Sequence, residues 1–454
     1  MDSIKSLMGG AANAIGAHKA SLALTSKNIA NANTEGYTRQ RITLMSSTLG
    51  NVTTRRASSF RSATIQRAIL GAQQSYGYQS GRLQSLQLAE PGLNDLDGSG
   101  VSAALDNFFS ALSALSNDPS DVNSRQSLLA QAQALAGAVN VAAKGIESAR
   151  NAAEQDASLT VTAVNQIVLD IAALNGQIDK TPVEMGQAEL IDQRDVLLND
   201  LAQYMEVNTL DQDDGTVLVY AAGGQPLILG DDASQMTLTG GGNAALGLAI
   251  QKPDGGVITM SDPPGGSLGG IIEARDDTLR TSLDELDQMA FSLASQVNTI
   301  HSAGTALDGT TGHNFFAPLA TAAGAAEALS VDDGIKSDPL LIASAGDPTL
   351  LPGDNQVLKD IIALQSTAVV GGKTLYESYD IASSTVTLAM NDASSQMRAS
   401  QARLSEVTAM RDSRSAVSIA EEMVELNASE RAFDAVSRVF DTADKLYDTL
   451  LQMV

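Results

Sequence analysis

The chain has no cysteine and no tryptophan among its 454 residues, and only three histidines. Without cysteine there is no disulfide, no thiolate metal site and no cysteine nucleophile. Three histidines leave little material for a histidine-rich metal centre. Aromatic residues make up 4% of the chain, which suits long, thinly packed helices better than thick cores. Positive charge is also scarce. Lys and Arg number 28 against 53 Asp and Glu, giving a formal charge of −25. That balance argues against a nucleic-acid binder held by phosphate contacts. No uninterrupted apolar run approaches the roughly 18 residues of a membrane span. The opening segment lacks a basic start, and Asn13, His18 and Lys19 interrupt its apolar character, so it does not read as a cleaved signal. A cytoplasmic protein fits, and so does one exported by a machine that needs no cleaved signal.

What is present is length, periodicity and uneven charge. The chain is long enough for about three domains at roughly 150 residues each. Residues 1–82 hold ten basic side chains against Asp2 and Glu35, which leaves the remainder at −33. A basic arm on an acidic body can pair with an acidic segment of a neighbouring copy, and scattered solvated side chains give the same count.

The N-terminal segment is helical by period. Met8, Ile15, Leu22 and Ile29 recur every seven residues, a coiled-coil stripe whose companion line is broken by His18 and Thr25. The C-terminal segment mirrors it. Ser418 and Glu421 form a capping-box start, and Ile419, Leu426, Phe433, Phe440, Tyr447 and Val454 follow at sevens. A second line holds Val436, Ala443 and Leu450, but its earlier members, Glu422 and Ser429, are polar. A sustained heptad needs a partner, so the two ends are expected to pair with each other or with neighbouring copies. An ordinary amphipathic helix on its own domain is the plainer alternative.

Helical stripes also run through 101–115, 128–139, 164–178, 279–300 and 357–364, and 375–412 is Ala/Ser-rich. Residues 206–265 differ, with short apolar runs at 216–220, 226–229, 236–239, 246–250 and 257–260 separated by Gly- and Asp-rich turns. Residues 303–354 carry Gly, Pro and Asp clusters and should be mostly loop. The expected fold is mainly α with a small inserted β domain: an elongated long-helix bundle with coiled-coil termini. The expected divisions are 1–40 with 418–454 as a terminal layer, 41–205 with 266–417 as the bundle, and 206–265 as the β insertion.

Catalytic patterns do not hold up. Gly371-Gly372-Lys373-Thr374 lacks the glycine of a phosphate loop at 367, where Thr367 stands, and a helix start suits it better. Asp211–Gly215 resembles a calcium loop, but Thr216 and Ala222 occupy its sixth and twelfth positions, so a β-turn is expected. His301 and His313 stand without an acidic cluster at ligand spacing. Gly265-Gly266-Ser267-Leu268-Gly269 matches a nucleophile elbow in form, yet Pro263-Pro264 separate it from the preceding strand. No catalytic, cofactor-binding or metal-ligating residue is assigned.

One string carries a family resemblance. Asn28-Ile29-Ala30-Asn31, then Thr34, Gly36 and Tyr37, resembles the N-terminal signature of the bacterial flagellar axial proteins. The extension Thr38-Arg39-Gln40 more closely resembles the hook-associated protein 1 (hook–filament junction) family within that group. Asn107-Phe108-Phe109, Arg125-Gln126, Asp192-Gln193-Arg194-Asp195, Gly266-Ser267-Leu268-Gly269-Gly270, Asn314-Phe315-Phe316 and Val417–Glu422 resemble further family strings, in order along nearly the whole chain. Larger family members carry an additional outer domain after the Asn-Phe-Phe string. The stretch between Phe316 and Val357 is too short for a typical domain, so that domain should be absent or reduced to a loop.

The resemblance implies a structural adaptor joining hook to filament by axial self-assembly, with no enzymatic step. It implies termini in the innermost layer, disordered in the monomer and ordered on assembly. It implies export through the flagellar type III channel without a cleaved signal, to an extracellular place in the flagellum. Implied partners are further copies in a ring, the hook protein, a second hook-associated junction protein and an export chaperone, with no nucleic acid and no membrane. Residues 28–40 should form the turn between the two layers. Another axial protein (hook or distal rod), a secreted effector using the same route, and an enzyme built on Ser267 are the alternatives.

Overall fold

The computed structural model describes residues 2–34, 36–46, 52–93, 100–181 and 187–452. Val454, the last member of the C-terminal stripe, lies outside the described residues. The first part of the chain forms α1 (Asp2–Ala30), a hairpin of β1 (Gln40–Ser46) and β2 (Val52–Ser59), α2 (Ala63–Gln87), the single turn α3 (Glu90–Leu93), α4 (Val101–Asn117) and α5 (Val122–Lys180). The hairpin lies at the start of the 41–205 stretch. Seven paired positions close it across a bulge at Ile42/Thr43.

The spine of the molecule is α5, 59 residues long, or about 88 Å at 1.5 Å per residue. Asp121 starts it by accepting the amides of Asn123 and Ser124. The stripes at 128–139 and 164–178 belong to this one helix. Between them Ala149, Ala153 and Ala157 continue the buried line. Alanine has the highest helix propensity, so the helix persists where larger apolar residues give out. One window of α5 is apolar enough to cross a membrane by composition. Leu128, Leu135, Val139 and Ile146 within its first half are fully buried in the core.

Next come α6 (Gln187–Tyr204), seven strands, and α7 (Gly266–Glu273), which a π turn (Ala274–Thr278) joins to α8 (Leu279–Ala303). The strands are β3 (Val207–Asp211), β4 (Val217–Ala221), β5 (Pro226–Leu229), β6 (Asp232–Ala233), β7 (Gln235–Gly241), β8 (Ala244–Gln251) and β9 (Val257–Thr259). They form two antiparallel sheets in sequence order, β3-β4-β5-β6 and β7-β8-β9. All five expected runs are strands. The sequence pattern missed β3 and the two-residue β6.

Residues 303–354 are mostly loop, as expected, with short elements set into them. They hold β10 (Thr305–Ala306), α9 (Ala325–Ala328), α10 (Asp333–Ser337) and β11 (Ala343–Ala345), with β10 pairing to β11. Phe315 and Phe316 reach into the core beside Phe108, with ring centroids 5.9 and 6.0 Å away. The Asn298 amide holds them there by accepting both of their backbone N–H groups. The chain finishes with α11 (Gln356–Ala363), α12 (Leu375–Ser415) and α13 (Ile419–Gln452).

The apolar side chains form two cores strung along α5. Its first half packs with α4, α8, the paired phenylalanines, α11 and the start of α12. Its second half packs with α6, α7 and both sheets. This is a mainly α bundle of long helices with a small β region inserted in the middle.

Candidate assembly interface

The two ends of the chain pair with each other. Ser21 Oγ lies 3.2 Å from Ser429 Oγ, and Asn28 Nδ2 donates to Glu422 Oε2 at 2.9 Å. The rising number on α1 meets the falling number on α13, so the helices run antiparallel. Their seam is made of small and polar residues. Ala11, Ala14, Ala17, Thr25 and Asn28 of α1 are buried, as are Glu422, Ser429 and Ala443 of α13. Small side chains let two helices approach closely.

The heptad stripe sits beside this seam. Met8, Ile15, Leu22 and Ile29 are half-buried, as are Leu426, Phe433, Phe440 and Tyr447. Ile419 is 50% exposed, because α1 ends opposite the start of α13. Leu7, Met423, Val424, Val439 and Leu446 are exposed as well. The polar members of the second line, Glu422 and Ser429, are the buried ones, the reverse of what hydrophobicity suggests.

The reason lies in residues 28–40. Asn28 is 2% exposed, and its amide is fully used. Nδ2 donates to the Gln40 carbonyl and to Glu422, both at 2.9 Å. Oδ1 accepts the Tyr37 hydroxyl at 2.8 Å and the Gln40 N–H at 3.2 Å. A buried amide with all its valences met costs little, while one left open costs its desolvation. Arg39 completes the cluster. Its Nε donates to Glu422 at 2.6 Å and its Nη1 to Glu421 at 2.8 Å, while the guanidinium lies 5.7 Å from the Phe60 ring centroid. The turn itself is local chemistry. Asn31 Nδ2 bonds back to the Lys27 carbonyl, and Thr34 Oγ1 donates to Asn31 Oδ1. Gly36 has φ +77°, and a Cβ there would lie 2.5 Å from Val196 Cγ2, so conformation and space both favour glycine.

The same segment docks onto the body. Thr38 N–H donates to Asp192 Oδ2 at 2.9 Å, Lys27 pairs with Glu189 at 2.7 Å, and Arg39 N–H donates to the Ser415 carbonyl at 2.8 Å. Burial pushes the Asp192 carboxyl up to about 6 against the pull of the Thr38 hydrogen bonds. Burial, reinforced by Asp192, Glu189 and Glu422, pushes the Tyr37 phenol up to about 12. The string Asp192-Gln193-Arg194-Asp195 is a three-way connector. Asp192 holds the turn, Arg194 Nη1 donates to the Gly215 carbonyl in the β region at 2.7 Å, and Asp195 pairs with Arg61 at 2.6 Å.

Residues 86–316, just over half of the chain, match the family model described as the flagellar hook-associated protein FlgK helical domain. The chain belongs to the FlgK family. Residues 411–453 also match the flagellar basal body rod FlgEFG protein C-terminal model, the segment that supplies α13. Flagellar hook-associated protein 1 of Bacillus subtilis (strain 168) is 27% identical over 371 residues, covering 72% of this chain and 73% of that one. Its Escherichia coli (strain K12) counterpart is 28% identical over 338 residues, covering 69% of this chain and 60% of that one. The structure of the flagellar hook junction protein FlgK from Burkholderia pseudomallei aligns with a TM-score of 0.51 at 27% identity, covering 55% of this chain and 46% of that one. This chain therefore spans less than two thirds of the Escherichia coli relative and less than half of the Burkholderia chain.

The remaining motifs of this FlgK-family chain have structural roles. Thr374 caps α12 in a reciprocal box with Glu377, and Lys373 pairs with Glu285. Asp214 accepts the Thr216 amide and hydroxyl, closing the turn read from Asp211–Gly215. The buried His301 ring joins the His313 carbonyl, 2.7 Å from Nδ1, to the Ala343 N–H, which donates to Nε2. Burial pushes its imidazole down to about 4. His18 is half-buried on α1. Ser267 opens α7 behind Gly265 and Gly266, both at positive φ. Among the described residues no group of three or more His, Cys, Asp or Glu is placed to hold a metal ion.

Sequence reasoning missed several asparagines that work as backbone staples. Asn140, Asn165, Asn175 and Asn298 each bond main-chain groups of another segment. Only the Asn175-Gly176 pair stands out in the sequence, and it suggests a turn rather than the middle of a helix.

Proposed function

We propose that this chain is a structural adaptor subunit of the bacterial flagellum, joining hook to filament by axial self-assembly without a catalytic step. The observation that carries this reading is the arm made by α1 and α13. Both chain ends are stapled into one antiparallel pair at Asn28, Arg39 and Glu422, and that pair leaves an apolar margin open along α13. Such a margin supports burial against further copies in a ring, where each aliphatic side chain adds on the order of 1.5–3 kcal/mol. Residues 1–40 and 418–454 form the inner layer, 41–205 and 266–417 the body, and 206–265 an outward insertion. Partners are the hook protein, a second junction protein and an export chaperone that takes the amphipathic C-terminal helix. The protein leaves the cell through the flagellar export channel and resides in the external structure.

Deleting the gene and imaging the cell surface tests this. Bare hooks, with flagellin shed into the medium on immunoblot, are expected. Missing hooks move the protein to an earlier axial position, and normal filaments overturn the adaptor reading.

A further inference from the structure

We infer that two copies of this chain pair face to face through α2, each placing Arg67 in an acidic-rimmed apolar depression of the other. The depression lies among α2, β8, α7 and the loop after β9, and encloses about 390 Å³. Leu248, Met260 and Ile272 give it an apolar side, and Asp262, Glu273, Asp276 and Asp277 give it a negative rim. No lysine or arginine lines it. Two of the carboxylates are committed. Glu273 pairs with Arg82 at 2.6 Å, and Asp276 accepts the Leu246 N–H at 2.7 Å. Asp262 and Asp277 are exposed and have no partner among the described residues. Tyr78 lines the same depression. Burial raises its phenol first, Glu273 and Asp277 add to the rise, and Arg82 opposes it, so the negative rim is felt at the ring. An apolar wall under such a rim fits an arginine, whose methylene stem covers apolar surface while its guanidinium pairs with carboxylates and stacks on an aromatic face.

The chain itself supplies the arginine. Residues 36–89 contain seven arginines and no Asp or Glu. Arg39, Arg61 and Arg82 are bound to carboxylates of their own chain. The side chains of Arg55 and Arg56 lie outside the described residues. Arg41 and Arg67 remain, both exposed. Arg67 uses only its Nε, on the Ala63 carbonyl at 3.3 Å, which leaves both of its Nη groups to give. Position selects Arg67 over Arg41, which sits on β1. Arg67 precedes Tyr78 by eleven residues of α2, or three helical turns, so the two share one face of the helix roughly 16 Å apart. Gly71 and Ser75 between them are exposed, and nothing stands within 4 Å of a Cβ built at Gly71. A face with its cation at one end and its negative depression at the other is complementary to itself. Turned about a twofold axis, each Arg67 meets the other copy's depression. The pair uses none of the surface of α1 or α13, so it stands apart from the axial contacts proposed above.

Sedimentation velocity of the full-length chain, run up to about 100 μM, reads the pair, since small contacts of this kind hold in the micromolar range. A dimer is expected. Arg67→Glu and Asp277→Lys, both exposed changes, should each raise its dissociation constant about tenfold with unaltered circular dichroism, and the two together in one chain should restore it. Gly71→Cys gives this cysteine-free chain a single thiol near the midpoint of the contact. A short bismaleimide should link two such chains, and Arg67→Glu should suppress the link. Val424→Glu with Val439→Glu should leave the pair intact. A monomer throughout overturns the inference, as does a dimer that ignores both charge reversals or that the charge swap fails to restore. A dimer lost only in the Val424 and Val439 variant also overturns it, and leaves the adaptor reading standing.

Discussion

Asn28 shows how much one side chain can organise. It meets two acceptors and two donors from three segments, and its removal leaves the Tyr37 hydroxyl and the Gln40 N–H without that acceptor and Glu422 with Arg39 alone. Asn28→Ala should therefore cost on the order of 1–3 kcal/mol, felt locally in the arm rather than across the bundle. Hydrogen exchange should show the amides of residues 28–40 opening about ten- to a hundredfold more often, with the α5 amides unchanged; uniform loss of protection would refute a local role. Asp192 makes a second residue-scale prediction. Its folded carboxyl titrates near 6 against an ordinary 3.8, so the fold holds a proton that the unfolded chain releases. Stability from this group is highest below about pH 4 and falls as pH rises to about 6. Asp192→Asn keeps an acceptor for Thr38 and lacks the titration. Urea midpoints should show the variant gaining on the natural protein between pH 4 and 6, then running parallel above 7. His301 works the other way. Its neutral ring is favoured by the fold, so its contribution is lost as pH falls from about 6.5 toward 4.

At the scale of elements, glycine decides where helices touch. In α2, Gly77 and Gly81 stand one turn apart and abut the backbones of Gln203 and Ser267, while Gly270 of α7 abuts the Tyr78 carbonyl. These are backbone neighbours, which cannot move aside as a flexible side chain can. Gly270→Ala should destabilise by about 1–3 kcal/mol through overpacking. Gly71, also in α2, has nothing within 4 Å of its Cβ position. Gly71→Ala should stabilise by about 0.5–1 kcal/mol, the ordinary helical preference. Thermal melts of the two variants should move in opposite directions; a shared direction would remove the packing explanation. Nothing in the sequence named the surfaces that Gly77 and Gly81 meet. The stripe of α5 was legible in two pieces, because apolar patterning fades where alanine carries the packing.

For the whole molecule, the exposed margin of α13 lets the proposed assembly be tested apart from folding. Val424 is 71% exposed and Val439 47% exposed, so Val424→Glu with Val439→Glu should leave monomer stability within about 0.5 kcal/mol. In cells the same pair should abolish swimming and filament attachment if that margin packs against other copies. Normal filaments in the double variant would exclude it from the interface.

The sequence by itself determined the elements whose signals are local. Heptad and strand periodicities, the helix start at Thr374, and the turn chemistry around Asn31, Gly36 and Asp214 depend on residues a few positions apart. The ordered family strings were equally legible, because they are local words. Tertiary structure alone decided which face of the terminal helices became the seam, and it chose Glu422 and Ser429 over the apolar stripe. That choice depends on Asn28 and Arg39, nearly four hundred residues away, which neutralise and hydrogen-bond a carboxylate that hydrophobicity places on the outside. The Asp192–Arg194–Asp195 connector and the asparagine staples follow the same logic. Their worth lies in partners that only folding brings near, and a buried polar group is stable only when those partners arrive.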